Sequence, residues 1–297
     1  MSSTITKLNA PLTQAFNSQS LNDPQISATP TINAQTQRLA DFDTLTEALE
    51  YAAKGTTGYN FYDARGNLRS VLPYSILRQK ARISARRLSS LGLPHGSHVA
   101  IIADTSPEFV ELFFACRYAG LVPFAMPVPV NLGSHAMYVQ QLRAMLNSGQ
   151  ASIALANLDY INFLEEAAKG AENLKWVGTP DQLAELPEAD VKLQANHPDE
   201  TAYLQFTSGS TRAPRGVVIT ERALMCNTQG IVRNGLEIQP NDRAASWLPF
   251  YHDMGLVGLV LAPMVAQLSV DYLATRDFAI RPLQWLRLIS RNRCTIA

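Results

Sequence analysis

The sequence has little that would mark a secreted, membrane-spanning or nucleic-acid-binding protein. Lys and Arg number 25 and are balanced by 25 Asp and Glu, whereas a nucleic-acid-binding protein usually carries a basic excess. The three cysteines, Cys116, Cys226 and Cys294, lie far apart and follow neither disulfide nor metal-ligand spacing, which is typical of a reducing compartment. No apolar run reaches the ~18 residues of a membrane span, and the first residues do not resemble a signal peptide. We therefore expect a cytoplasmic chain with no metal site of its own.

The residues that are present predict a layered α/β fold. Hydrophobic residues make up 46% of the 297 residues, enough for a substantial core. An apolar strand over 96–103, a helix that begins at Ser106 and Pro107, and a second strand over 123–128 predict a parallel pair with a right-handed crossover. The alternation then continues, which indicates sheets flanked by helices. The further predicted helices span 74–91, 136–147, 158–168, 255–266 and 281–291. Further strands are predicted over 152–156 and 175–178.

The composition divides the chain into three parts. Residues 1–40 are dominated by Ser, Thr, Asn, Gln, Ala and Pro, and such a segment buries too little to offset its ordering entropy, so we expect a disordered tail. Residues 41–195 are expected to form a first α/β subdomain. The stretch 180–200 is acidic and loop-like, and we place the boundary there. Residues 196–297 are expected to form a second, partial α/β subdomain.

The stretch Thr207–Val217 stands out in the second part. It reads Thr-Ser-Gly-Ser-Thr-Arg-Ala-Pro-Arg-Gly-Val, with apolar, strand-like runs on both sides. Hydroxyls, guanidinium groups and glycine-rich backbone are what a polyphosphate needs. The stretch lacks the Gly-Lys-Ser/Thr of a Walker A loop and is not a Gly-x-Ser-x-Gly nucleophile elbow. By composition alone, an ordinary surface loop is an equally good interpretation.

The order of its residues resembles the phosphate-binding signature of the adenylate-forming enzymes. These are the acyl-CoA synthetases, fatty-acyl-AMP ligases, luciferases and peptide-synthetase adenylation domains. A second motif, Trp-Leu-Pro-Phe-Tyr-His-Asp-Met-Gly-Leu over Trp247–Leu256, resembles the next core motif of the same family and lies in the expected order. The resemblance extends from about residue 43 to the end of the chain. It implies the large N-terminal domain of such an enzyme.

The resemblance also implies roles for individual residues of the first motif. Arg212 resembles the fatty-acyl-AMP ligase variant of the motif. Arg215 stands where many relatives have lysine, and it keeps the positive charge but not the geometry of an ammonium group. The residues expected to bind nucleotide phosphates are Thr207, Ser208, Gly209, Ser210, Thr211, Arg212, Arg215 and Gly216.

The second motif is expected to bind the acyl substrate. The resemblance places His252 where it positions the substrate carboxylate or the α-phosphate, a role in catalysis other than acid–base chemistry. Gly255 is expected to let an acyl chain pass close to the backbone. Ordinary core packing is an equally good interpretation of Trp247 and Tyr251. The residues expected at the acyl site are Trp247, Tyr251, His252, Asp253, Met254 and Gly255.

The resemblance implies ATP-dependent activation of a fatty acid to an acyl-adenylate. It also implies Mg²⁺, with its protein ligand expected beyond residue 297, and transfer to an acyl carrier protein or a polyketide synthase module. Family members are roughly twice this length, so the chain resembles an N-terminal part without the domain that carries the catalytic lysine. We expect such a chain not to adenylate at a normal rate. Two alternatives stay open, a long-chain fatty-acid–CoA ligase and an inactive, truncated paralogue that acts as a binding module.

Overall fold

The alternating strands and helices form two sheets with helices between and around them. The computed structural model describes residues 27–30, 34–129, 134–193, 196–207 and 214–297. Its larger sheet has the strand order β6-β5-β3-β4-β7-β8, and its smaller sheet has the order β2-β1-β10-β9. The strands are β1 (Gly58–Tyr62), β2 (Leu68–Pro73), β3 (His98–Ile102), β4 (Val122–Met126), β5 (Ala151–Leu155), β6 (Trp176–Gly178), β7 (Thr201–Thr207), β8 (Arg215–Thr220), β9 (Arg243–Ser246) and β10 (Ser269–Leu273).

Helices cover both faces of the larger sheet. Two segments are π-helical, Ile231–Gly235 and Met254–Leu261. The α-helices are α1 (Leu45–Ala52), α2 (Tyr74–Ser90), α3 (Pro107–Tyr118), α4 (His135–Ser148), α5 (Ile161–Ala168), α6 (Pro180–Ala184), α7 (Glu221–Gly230), α8 (Ala262–Val265), α9 (Thr275–Ile280) and α10 (Leu283–Asn292).

Strand β3 shows how the sequence builds this layering. Its residues are apolar on both sides, as a buried parallel strand requires. Val99 and Ile101 belong to the main hydrophobic core, which lies between the two sheets. Ala100 and Ile102 point to the opposite face and pack with residues of α4 and α5 in a second core. The strand is therefore buried between two helical layers.

The predicted unit β3–α3–β4 is confirmed. The side chain of Ser106 accepts a hydrogen bond from the amide of Phe109, and Pro107 occupies the first turn of α3, as the sequence pattern predicts. Gly120, with φ of +69°, follows the helix in the left-handed conformation that glycine tolerates best. Strands β3 and β4 are parallel neighbours.

The smaller sheet joins distant parts of the chain. β1 pairs in parallel with β10 and antiparallel with β2, and β10 pairs in parallel with β9. Near the end of the chain, Ile296 forms a parallel bridge with Ala244. Each sheet thus takes strands from both sides of residue 195. That division stays a prediction.

Three local expectations differ from the structure. The loop-like stretch 180–200 contains the short helix α6, whose capping box is formed by Thr179 and Gln182. The helix predicted over 255–266 is π-helical in its first part. The helix predicted over 281–291 corresponds to α10, which begins two residues later, at Leu283. A separate helix that was not predicted, α9, ends before it at Ile280, since Pro282 disfavours helical geometry at the residue before it and Arg281 has φ of −139° and ψ of 69°.

The expectation of a disordered tail through residue 40 is wrong for residues 27–30 and 34–40. Thr29 is buried, and its amide donates to Oδ1 of Asn60 over 2.8 Å. Gln37 donates to the carbonyl of Ala266, and Ala40 is buried in the main core. These hydrogen bonds and buried residues hold the segment in place, although its composition predicts disorder. Residues 1–26 and 31–33 lie outside the described residues.

No helix in the described parts of the chain combines the length and the apolar character needed to cross a membrane.

Candidate functional site

Strands β7 and β8 frame the first motif. They form an antiparallel pair in which Thr207 lies opposite Arg215, and both residues are exposed. The strands that we expected on each side of the motif are therefore present. A hydroxyl and a guanidinium group stand at the two ends of the intervening loop. The predicted phosphate-binding residues within that loop lie outside the described residues, and their roles stay predictions: Ser208, Gly209, Ser210, Thr211 and Arg212.

Gly216 lies opposite Phe206 in the β7–β8 pair. A Cβ at Gly216 would lie 3.3 Å from the ring of Phe206, closer than side chains normally approach. The Phe206 ring packs on that of Phe124 in β4, with 5.2 Å between the ring centroids. Gly216 therefore leaves room for an aromatic contact that holds the hairpin against the sheet. Its expected contact with phosphate stays a prediction.

Phe250 anchors the second motif in the main core. Its ring is fully buried and lies 5.6 Å from the ring of Phe109 and 4.9 Å from that of Tyr272, centroid to centroid. Trp247 stacks on Phe278 with 3.9 Å between centroids and 7° between the ring planes. One face of Trp247 is thus covered by packing, which supports the core-packing interpretation of this residue. Its expected contact with an acyl chain stays a prediction.

After Phe250 the motif turns outward. Tyr251 is half-buried, and burial raises the pKa of its phenol. The ring of His252 lies 4.9 Å from that of Tyr251, and His252, Asp253 and Met254 are exposed. The carboxylate of Asp253, at the start of the π-helical segment, accepts a hydrogen bond from the amide of Met254 over 2.7 Å. The imidazole is therefore presented at the surface beside a capped helix start.

Gly255 is required by the chain's own backbone. A Cβ on this residue would overlap the carbonyl oxygen of Pro249, and it would also lie 3.3 Å from the carbonyl carbon of Leu248. We expected the glycine to make room for a substrate. The position that a Cβ would take is filled by the preceding turn of the motif, which accounts for the glycine; its expected contact with an acyl chain stays a prediction.

The two motifs meet at β7. Side chains alternate along a strand, so Tyr203, Gln205 and Thr207 share one face of β7. The amide Nε2 of Gln205 donates to the carbonyl of Tyr251 over 3.1 Å. Burial, together with the nearby carboxylate of Asp253, raises the pKa of Tyr203. The β7–β8 hairpin and the segment that carries His252 are therefore joined by a hydrogen bond and lie side by side.

Gln205 was not among the predicted site residues. The signal that could have found it is its polarity, since it stands in the strand Ala202-Tyr203-Leu204-Gln205-Phe206, where every other side chain is apolar or aromatic. A polar residue inside a buried strand needs a partner. The partner lies 46 positions along the chain, so no local pattern could have indicated which one it is.

Within the described residues, no group of three or more His, Cys, Asp or Glu side chains is placed to hold a metal ion. Mg²⁺ usually binds one or two carboxylates together with substrate phosphates and water, so its expected ligand stays a prediction. The arrangement offers an exposed hydroxyl and guanidinium at facing ends of β7 and β8. It also offers an exposed imidazole one residue beyond the carbonyl that Gln205 of β7 binds, and all three groups suit an anionic phosphate ligand.

The chain belongs to the family of AMP-binding enzymes. The family model, described as AMP-binding enzyme, matches residues 50–297. A protein of Caulobacter vibrioides (strain NA1000 / CB15N), named as an acyl-CoA synthetase, is 46% identical over 274 residues, which are 92% of this chain and 47% of the relative. A long-chain-fatty-acid–AMP ligase of Mycolicibacterium smegmatis is 32% identical over 247 residues, 79% of this chain and 37% of the relative.

Solved structures show the same similarity. A structure from a study of fatty acyl-adenylate ligases from E. coli and L. pneumophila matches with a TM-score of 0.84 and 49% identity, over 87% of this chain and 46% of that one. The resemblance predicted from the two motifs and the predicted α/β class are both confirmed. The chain spans about half the length of the curated relatives that it matches.

Proposed function

We propose that this chain takes part in the ATP-dependent activation of a fatty acid as an acyl-adenylate, in the manner of a fatty-acyl-AMP ligase. The observation that carries the proposal is the match to a fatty acyl-adenylate ligase structure at 49% identity with a TM-score of 0.84. The placement of the phosphate-binding hairpin beside the segment that carries His252 supports it.

In this reaction a carboxylate oxygen attacks the α-phosphorus of ATP. The bond from that phosphorus to the oxygen bridging to the β-phosphorus breaks, and pyrophosphate leaves with the electron pair. Both reactants are anions, so the protein has to hold them together against their repulsion and in line. In the proposal, Thr207 and Arg215 bind the phosphates together with the loop between them. His252 orients the carboxylate or the α-phosphate.

The substrates in this proposal are ATP and a fatty acid, with Mg²⁺ carried by the nucleotide phosphates. The acyl acceptor is an acyl carrier protein or a polyketide synthase module, and the compartment is the cytoplasm. A second candidate is a fatty-acid–CoA ligase, favoured by the 46% identity to a relative named as an acyl-CoA synthetase. The two candidates share the adenylation step and differ only in the acceptor.

Binding of MgATP tests the proposal directly. We expect calorimetry to show binding by the 297-residue chain, and Arg215→Ala to weaken it about ten- to hundredfold, since one charge-assisted hydrogen bond contributes about 1.5–3 kcal/mol. Arg287 is also exposed, and Arg287→Ala serves as the matched control with unchanged affinity. Absence of MgATP binding by the wild-type chain would refute the proposal.

An ATP–pyrophosphate exchange assay with dodecanoate tests the reaction itself. We expect the isolated chain to show little or no exchange, because it spans only about half of its relatives. Acyl-adenylate formed at a rate typical of working enzymes, about 1 s⁻¹ or faster, would show that these residues alone complete the active site.

A further inference from the structure

Gln205 connects the two motifs by a single side chain. It lies in β7 two residues before Thr207, and its Nε2 donates to the carbonyl of Tyr251 over 3.1 Å and to the carbonyl of Phe206 over 3.3 Å. Tyr251 immediately precedes His252. The amide of Gln205 thus joins the strand that leads into the phosphate-binding hairpin to the backbone next to the exposed imidazole.

The orientation of this amide is fixed by its partners. Both are carbonyl oxygens, which can only accept, so the NH₂ group has to face them and the amide oxygen has to point away. That oxygen, Oε1, is buried and has no hydrogen-bond partner among the described residues. A buried acceptor without a partner destabilises a fold, whereas an apolar side chain of the same size would not. Packing alone therefore does not account for a glutamine at this position.

The segment 250–253, which Gln205 contacts, is buried at its first residue and exposed at its last two. Phe250 is fully buried in the main core, whereas His252 and Asp253 are exposed. Within the segment, the amide of His252 donates to the carbonyl of Pro249 over 3.2 Å, and that of Leu256 donates to the carbonyl of His252 over 2.8 Å. These bonds fix the local turn. The bond from Gln205 fixes where the turn lies relative to β7.

We propose that Gln205 is a positioning residue, which sets the place of His252 relative to the end of β7 through the carbonyl of Tyr251. This inference rests on the proposed function, since it concerns the same ligand site. Without the amide donor, the segment 251–253 opens more often, and the imidazole is no longer held beside the phosphate-binding hairpin.

Two substitutions separate this role from general packing. Gln205→Met keeps the length of the side chain and removes the donor. Gln205→Glu keeps the shape as well, but a carboxylate cannot donate and would face two carbonyl oxygens. A buried carboxyl next to such acceptors is protonated more readily than one in water. Once protonated it can donate to the carbonyl of Tyr251, so lowering the pH is expected to restore the bond in this variant.

Amide hydrogen exchange of the 297-residue chain measures the effect without any ligand. In Gln205→Met, the protection factors of His252 and Leu256 are expected to fall about tenfold, as for loss of one buried hydrogen bond. In Gln205→Glu they are expected to fall at about pH 8 and to recover at about pH 5, after correction for intrinsic exchange rates, while the wild-type factors stay constant. Gln141 is exposed, and Gln141→Met is the matched control with no change.

The affinity for MgATP provides the second readout. We expect Gln205→Met to weaken MgATP binding about tenfold relative to wild type and to Gln141→Met. Unchanged protection at His252 and Leu256 would overturn the inference, and so would an unchanged affinity in a variant that has lost protection. Failure of the proposed function has a different signature, because the wild-type chain would then not bind MgATP at all. The role of Gln205 in ligand binding would fall with it. If Gln205→Met does not fold, recovery of Gln205→Glu at low pH still decides the matter.

Discussion

Single residues of the second motif are constrained by atoms that lie only a few positions away. Gly255 is buried, and the carbonyl of Pro249 occupies the space that a Cβ on this residue would need. A Cβ on Gly258, in contrast, would meet nothing nearer than Cγ of Met254 at 4.0 Å. We expect Gly255→Ala to lower the free energy of unfolding by about 1–3 kcal/mol, because the turn has to shift to admit a methyl group. Urea denaturation followed by circular dichroism measures this change.

Gly258→Ala is the matched control, since it lies in the same helical segment and has room for a methyl group. We expect it to be neutral, or to stabilise by up to about 1 kcal/mol through the higher helix propensity of alanine. Equal effects of the two substitutions would mean that the overlap with Pro249 is relieved at no cost.

At the scale of elements, a buried ion pair ties three helices together. Arg117 in α3 and Glu221 at the start of α7 lie 3.1 Å apart, Nη2 to Oε1, and are 1% and 0% exposed. The other oxygen of Glu221 accepts from the first amide of α1, that of Leu45, over 2.9 Å. We expect Glu221→Ala to cost about 3–5 kcal/mol of unfolding free energy, because it leaves the Arg117 guanidinium buried without its partner.

The next residue along the chain supplies the control for this prediction. Arg222 pairs with Asp199 over 2.7 Å, but both side chains are 65% exposed. Exposed pairs contribute little to stability, so we expect no measurable change in the urea midpoint for Asp199→Ala. A similar small effect for Glu221→Ala would show that α1, α3 and α7 are held together by apolar packing alone.

How well each element could be predicted depends on whether its apolar residues recur at the regular spacing of a helix or a strand. Helix α3 was predicted to within one or two residues because apolar positions, an N-cap and a terminal glycine agree there. Helix α2 was predicted as closely from the helical spacing of its apolar positions. The run Gly255–Ala266 is apolar almost throughout, so it has no period from which to tell an α-helix from a π-helix. Pro263 also lacks the amide that would bond the Leu259 carbonyl, and the hydroxyl of Tyr272 donates to that carbonyl instead. Local sequence patterns cannot identify a hydrogen-bond partner that lies in a distant strand.

The same limit applies to the candidate site. The hydroxyl and guanidinium ends of the first motif and the exposed imidazole of the second could be named from residue order. Their proximity could not, because it depends on the bond from Gln205 to Tyr251 and on the burial of Phe250. Both are tertiary contacts.

At the scale of the whole molecule, the two ends of the described chain meet in one buried polar network. Asp271 in β10 forms an ion pair with Arg243 in β9 and accepts hydrogen bonds from the side-chain amides of Asn60 and Asn292, each over 2.8 Å. The amide of Asn60 also donates to the hydroxyl of Thr29 over 3.1 Å. The residues come from positions 29 to 292, which explains why strands could be predicted from sequence but their pairing in the smaller sheet could not.

This network predicts that its two ends are energetically coupled. Thr29→Val and Asn292→Leu are each expected to cost about 1–2 kcal/mol, because each removes a hydrogen bond from a polar group in or beside the buried network. Thr29 is linked to the carboxylate of Asp271 through Asn60, and Asn292 is linked to it directly. The double variant is therefore expected to differ from the sum by at least about 0.5 kcal/mol. Urea denaturation of the four proteins of the cycle measures this. Additive costs would mean that residues 27–30 and α10 are held to the smaller sheet independently, with Asp271 only a shared neighbour.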